Sequence, residues 1–113
     1  MIIMVVDDVP KIRRVIIDML KNVDAEFIEC SNGAEAVNAY EQHHPDFVLM
    51  DVEMKEMNGI EATRKIKHKF RDAKICIVTN YDDQYLINAA NEAGAVGYVL
   101  KENLQELRKF VQR

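Results

Sequence analysis

The sequence is poor in the residues that mark disordered or low-complexity chains, with 4 Gly and 2 Pro among 113 residues. Together with a hydrophobic fraction of 49%, that scarcity excludes wholesale disorder. No apolar run approaches the roughly 20 residues a membrane span needs, so no membrane role is expected. No signal peptide is expected either, because the first strand-like run already begins at Ile2. An excess of positive charge is also missing. Fifteen basic against 19 acidic residues give a net charge of −4, which argues against nucleic-acid binding by this domain itself. Cysteine is limited to Cys30 and Cys76, far apart and each inside an apolar run. Neither belongs to a CxxC pair, so buried free thiols in a reducing, cytoplasmic setting are expected.

What is present is a regular alternation of two periods. The length fits one domain, 1–113, and no repeat or linker divides it. Ile2-Ile3-Met4-Val5-Val6 is a continuous apolar run closed by Asp7-Asp8. Pro10 stands where a helix would begin, with Asp8 as its expected cap. Ile12, Val15, Ile16, Met19 and Leu20 then follow at helical spacing, leaving Lys11, Arg13, Arg14 and Asp18 outside. Glu26–Cys30 reads as a second strand interrupted by charge. Asn32 with Glu35 starts a second helix through about His43, which Pro45 prevents from continuing. Asp46–Met50 is the third strand, and Asn58 with Glu61 caps a third helix whose inner face is Ile60, Thr63, Ile66 and Phe70. Ile75–Val78 is the fourth strand. Asp82 or Asp83 opens a fourth helix carrying Leu86, Ala89, Ala90 and Ala93, which Gly94 ends. Gly97–Leu100 is the fifth strand. Asn103 with Glu106 is expected to cap a last helix with Leu104, Leu107, Phe110 and Val111 inward.

Five β-α units in strict alternation imply a parallel sheet with helices on both faces. Strands one, three and four are continuously apolar, as strands buried on both sides must be. Strand two alternates and strand five is short and Gly-bounded, so both read as edges. The order 2-1-3-4-5 places them there, which gives a flavodoxin-like α/β sandwich.

In such a sheet, ligands bind beyond the carboxyl ends of the strands, at the switch between strands one and three. Asp7 and Asp8 follow strand one, Asp51 follows strand three, Thr79 strand four and Lys101 strand five. Three carboxylates in one crevice repel one another and need a counter-charge. A hard divalent cation such as Mg²⁺ supplies it and also accepts a phosphate oxygen as ligand. Lys101 and Thr79 can each contact a phosphoryl oxygen, and one carboxylate can serve as nucleophile towards phosphorus. Singly, an Asp after a strand is often only a helix cap, and a lone Thr or Lys only solvated surface. The specificity lies in the set.

The stretches Val5-Val6-Asp7-Asp8, Leu49-Met50-Asp51-Val52-Glu53-Met54, Met57-Asn58-Gly59, Ile77-Val78-Thr79 and Gly97-Tyr98-Val99-Leu100-Lys101 resemble the receiver domain of two-component response regulators. The resemblance covers essentially the whole chain. Around Tyr98 to Lys101 it is similar to the subclass with LuxR-type helix-turn-helix outputs. The resemblance implies that Asp51 is the phospho-acceptor. It implies that Asp7, Asp8, Asp51 and the backbone carbonyl of Glu53 hold Mg²⁺. Thr79 and Lys101 would bind the phosphoryl group, and Tyr98 would be a rotating aromatic coupled to Thr79. The donor would be a sensor histidine kinase or phosphotransfer protein. The output would be altered partner binding, or a homodimer formed through the fourth-helix to fifth-helix face. Catalysis would be confined to self-phosphorylation and self-dephosphorylation. The chain, ending about one helix after Lys101, fits a single-domain regulator or the receiver of a longer transcription factor.

Several positions depart from that pattern. Lys55 stands where relatives usually have proline, so the loop from Glu53 to Asn58 should be less rigid. Asn80 and Tyr81 follow the hydroxyl where small residues are common, and their bulk could restrict access to the phosphoryl group. Glu102 replaces a proline after Lys101, where a cis bond would cost about 3 kcal/mol. His43 and His44 read as solvated residues at a helix C-terminus, with a metal pair as the lesser reading. Met50, Met54 and Met57 read as core and loop packing. Lys65, Lys67, Lys69 and Arg71 read as a solvated face, with a basic docking patch as the lesser reading. Two rivals remain. An Asp-nucleophile, Mg²⁺-dependent phosphohydrolase usually carries a second Asp two residues after the first, where this chain has Glu53. A binding-only receiver would not need the complete acidic and basic set.

Overall fold

The computed structural model describes residues 1–112. Five strands, β1 (Ile2–Val6), β2 (Glu26–Cys30), β3 (Phe47–Met50), β4 (Ile75–Thr79) and β5 (Gly97–Leu100), form one sheet in the order β2-β1-β3-β4-β5. Every pairing is parallel. The expected edges are the observed edges. The connecting helices are α1 (Pro10–Met19), α2 (Gly33–His43), α3 (Gly59–Lys69), α4 (Gln84–Ala93) and α5 (Leu107–Phe110).

Strand alternation divides the interior into two cores. Met4 and Val6 of β1, Val48 and Met50 of β3, and Ile75 and Ile77 of β4 pack with α2, α3 and α4 on one face. Ile3, Val5, Leu49, Cys76 and Val78 point to the other, where Ile16 and Leu20 from the α1 side meet Leu107 and Val111 from the α5 side. The continuous apolar runs are thus explained, since successive residues alternate between two buried faces. Cys30 and Cys76 are buried free thiols, and burial pushes both up to about 12.

Local capping follows the expected residues at three helices. Asn32 accepts from the Glu35 N–H at 2.8 Å, and Asn58 from the Glu61 N–H at 2.9 Å. Asp83 caps α4, and Gly94 closes it at φ 103°. Two expected caps fail. The N-cap of α1 is Val9, which offers no side-chain bond, and Asp8 is not the cap. The Asp7 carboxylate takes the Val9 N–H instead, at 2.9 Å. Asn103 does not cap the last helix either. It sits at a kink (φ −125°, ψ 41°) inside a 3₁₀ segment, Lys101–Glu106, and α5 starts only at Leu107 with no side-chain cap. Leu107 and Val111 still reach the core, with Leu104 and Phe110 packed beside it.

Smaller expectations are also revised. The third strand begins at Phe47 and the fourth extends to Thr79. Lys67 is not simply solvated: its ammonium donates to the Arg71 carbonyl and, at 3.0 Å, to that of Ala73. Lys69 pairs with Glu41. His44, at φ 45°, ends α2 and sets its ring edge-on to Phe70, 5.2 Å between centroids. No cis peptide bond occurs among the described residues, so the Lys101–Glu102 bond is trans.

Candidate functional site

The β1–β3 register pairs Val6 with Met50, so the next residues, Asp7 and Asp51, emerge side by side. Backbone bonds fix both. The Asp7 N–H donates to the Cys30 carbonyl at 3.1 Å and the Asp51 N–H to the Val6 carbonyl at 2.9 Å. Both carboxylates are buried, whereas Asp8 is exposed. Ligand oxygens from Asp7, Asp8 and Asp51 all lie within 4.8 Å of one another. Gly59 lets α3 begin hard against this strand end, because a Cβ there would lie 1.8 Å from the Asp51 carbonyl oxygen.

Lys101 is the counter-charge. Its Nζ lies 2.9 Å from Asp7 Oδ2 and 3.2 Å from Asp51 Oδ1. One ammonium cannot balance the set. Burial, then the neighbouring Asp7, push the Asp51 carboxyl up to about 6 against the opposing pull of Lys101. Burial pulls Lys101 down, but the two carboxylates outweigh it and the net shift is upward. Asp7 Oδ2, although close to the ammonium, is a buried oxygen without an aligned hydrogen bond. A cluster of three carboxylates with hard oxygen donors close together and one ammonium between two of them fits a divalent cation such as Mg²⁺.

Thr79 and Lys101 come from adjacent strands, since Thr79 pairs with Leu100. A cavity of about 190 Å³ lies over the cluster, lined by Asp8, Asp51, Glu53, Thr79, Tyr81 and Lys101 among others. A volume of that size suits a small anion rather than a drug-sized ligand. The Thr79 hydroxyl is buried and accepts from the Tyr81 N–H at 3.3 Å. Tyr98 is half-buried, and its hydroxyl donates to the Tyr81 carbonyl at 2.6 Å. The Glu53 carboxylate is in hydrogen-bonding contact with the Tyr81 phenol and pushes its pKa up. Tyr81 thus stands at the rim, tied to Glu53 and Tyr98. A larger groove of about 700 Å³ runs between α3 and α4 and shares Asp8 and Glu53 with the cavity.

All seven residues singled out from the sequence therefore gather at one end of the sheet. His43 and His44 are not part of the acidic group. Sequence reasoning misses Arg13, which helical spacing leaves outside the packed face of α1. Its guanidinium donates from Nη1 to the Asp7 carbonyl at 2.6 Å and from Nε to Glu29 at 2.9 Å.

The family model described as response regulator receiver domain matches residues 3–112. The chemotaxis protein CheY of Bacillus subtilis is 39% identical over 100 residues, covering 88% of this chain and 83% of that protein. The transcriptional regulatory protein YdfI of the same organism is 37% identical over 106 residues, covering 92% of this chain and 49% of that protein. Among solved structures, the response regulator TrrA of Thermotoga maritima, in complex with Mg²⁺-BeF, is 35% identical with a TM-score of 0.87, covering 97% and 95%. A LuxR-family response regulator from Aurantimonas is also 35% identical, with a TM-score of 0.86, covering 96% and 79%. The chain thus spans most of a chemotaxis-type relative and about half of this transcriptional one.

Proposed function

The chain belongs to the response regulator receiver family, whose function is phosphorylation-dependent signalling, and from that premise we propose that Asp51 is its phospho-acceptor. We read the whole of 1–113 as one receiver unit. The observation that carries the assignment is the pair of buried carboxylates, Asp7 and Asp51, sharing a single ammonium on adjacent strand ends. The arrangement is short of positive charge, and a phosphoryl-transfer site needs that charge supplied on binding.

Asp7, Asp8, Asp51 and the Glu53 backbone carbonyl would hold Mg²⁺. When bound, Mg²⁺ supplies positive charge beside the transferring phosphoryl oxygens. The chain's own residues do the rest. An Asp51 carboxylate oxygen attacks phosphorus of a donor phosphohistidine; the P–N bond breaks and the imidazole leaves with the electron pair. Lys101 neutralises charge on the phosphoryl group and gives up its contact with Asp51 to do so. Thr79 donates its hydroxyl to a second phosphoryl oxygen. The product carries about −2 charge and three acceptor oxygens that the unmodified carboxylate lacks. Thr79 and Lys101 therefore contact it only after transfer, and that difference is what shifts the α4–β5 region. Tyr98 lies in its path through the bond to Tyr81.

The donor would be a sensor histidine kinase or phosphotransfer protein in the cytoplasm, and the output partner binding or homodimerisation on the α4–β5–α5 face. No described helix is long and apolar enough to cross a membrane. Chemistry beyond self-phosphorylation and self-dephosphorylation is not required. The test is intact-mass spectrometry after acetyl phosphate treatment, with and without Mg²⁺. A Mg²⁺-dependent gain of one phosphoryl group, absent in Asp51→Ala, is expected. An adduct that persists in Asp51→Ala would overturn the assignment.

A further inference from the structure

The segment that presents Asp7 and Asp8 is held from outside its own helix. Its helix N-cap is Val9, which has no side-chain oxygen to accept from the first turn of α1. The backbone of Asp7 is instead secured on both sides through the edge strand β2. Its N–H bonds to the Cys30 carbonyl, and its carbonyl accepts from Arg13, which is itself pinned by Glu29. Arg13 is only 14% exposed in its side chain, although Glu29 is 48% exposed. The planar guanidinium suits this task, since two of its nitrogens reach two different acceptors at once.

We propose that the Arg13–Glu29 pair is a positioning clamp, holding the Asp7–Asp8 backbone in the conformation that binds a divalent cation. The clamp rests on the reading of these carboxylates as a Mg²⁺ site, and Arg13 itself touches neither cation nor phosphoryl group. Simple electrostatics makes the opposite forecast. Arg13 is a positive charge close to an acidic site, so removing it should strengthen cation binding; removing the Glu29 charge should weaken it. A clamp requires both removals to weaken binding. Partners that orient metal-binding residues in this way typically contribute tenfold or more to affinity.

The experiment is calorimetric titration of the full chain with MgCl₂ at pH 8, on wild type, Arg13→Gln, Arg13→Lys, Glu29→Gln and the Arg13→Gln/Glu29→Gln double variant. Thermal melts in EDTA confirm that each variant is folded. The expected result is Mg²⁺ affinity about tenfold weaker in Arg13→Gln, with a smaller loss in Glu29→Gln. The double variant should be no worse than Arg13→Gln, because the clamp can be lost only once. Arg13→Lys keeps the charge but not the fork and should also bind more weakly. It serves as the test variant if Arg13→Gln fails to fold. Tighter binding in Arg13→Gln, or a double variant restored to wild type, would overturn the clamp in favour of plain charge effects. Unchanged affinity in every folded variant would also overturn it. Failure of the wild type to bind Mg²⁺ would instead overturn the underlying reading of the site.

Discussion

The two halves of the site are built differently. The acidic half, Asp7 and Asp51, sits on central strands buried on both faces, tethered through backbone bonds to Cys30 and Val6. The other half, Thr79, Tyr81 and Tyr98, to which the proposal gives the switch, lies towards the β5 edge. Only Thr79 is buried there, and Tyr81 is 47% exposed. Single hydrogen bonds from Tyr98 and to Thr79 hold the Tyr81 backbone. A preformed acidic half lets chemistry proceed without reorganisation, and a lightly held aromatic half can move at small cost. On the function proposed above, reaction and readout would thereby be separated on one sheet.

The contrast can be tested by the cost of damaging each half. Gly59→Ala should have the largest effect, because the new Cβ would meet the Asp51 carbonyl at 1.8 Å. A loss of more than about 4 kcal/mol in urea unfolding is expected. Lys101→Ala leaves two buried carboxylates unpaired and should cost about 3 kcal/mol in EDTA, with much of it recovered on adding Mg²⁺. Recovery without Mg²⁺ would show that the acidic half relaxes more easily than its burial implies.

Asp51→Asn should act in the opposite direction. The folded carboxyl titrates at about 6 against an ordinary 3.8, so the native state holds this proton more tightly than the unfolded chain. Stability therefore falls as pH rises through that window, and the penalty is complete above about pH 6. In EDTA at pH 8 the substitution should stabilise the fold by up to about 3 kcal/mol, with the gain vanishing below about pH 4. Thermal melts across pH check the sign. Tyr98→Phe should be the mildest change, costing about 1 kcal/mol and leaving phosphoryl uptake on Asp51 intact while weakening the response of the α4–β5 face. If it cost as much as Lys101→Ala, the proposed division between rigid and movable halves would fail.

The sequence was informative wherever one local property decides the outcome. Alternating periods set the five β-α units, strand hydropathy separated central from edge strands, and Asn32, Asn58 and Asp83 capped the helices they precede. It was misleading where a residue had two partners available. Asp8 and Asp7 could each have served the start of α1, and the buried strand end gave the Val9 N–H to Asp7. Asn103 reads as a cap in isolation. In the fold, Lys101 must reach back to Asp7 and Asp51 while Leu107 and Val111 enter the core, and a kinked 3₁₀ segment meets both demands. Arg13 and Lys67 look solvated on a helical wheel because the carbonyls they donate to, those of Asp7 and Ala73, are backbone atoms that no residue pattern reveals, and Glu29, the other partner of Arg13, lies on a separate strand.

By itself, then, the sequence determined the sheet order and the arrival of Asp7, Asp8, Asp51, Thr79 and Lys101 at strand ends, because period and strand length are local quantities. Only the tertiary structure decided how those groups perturb one another: two carboxylates sharing one ammonium, Asp51 raised to about 6, and Tyr81 tied to Glu53 at the rim. Charge interactions depend on distance and burial, and both are fixed only when separate strands and loops are brought together.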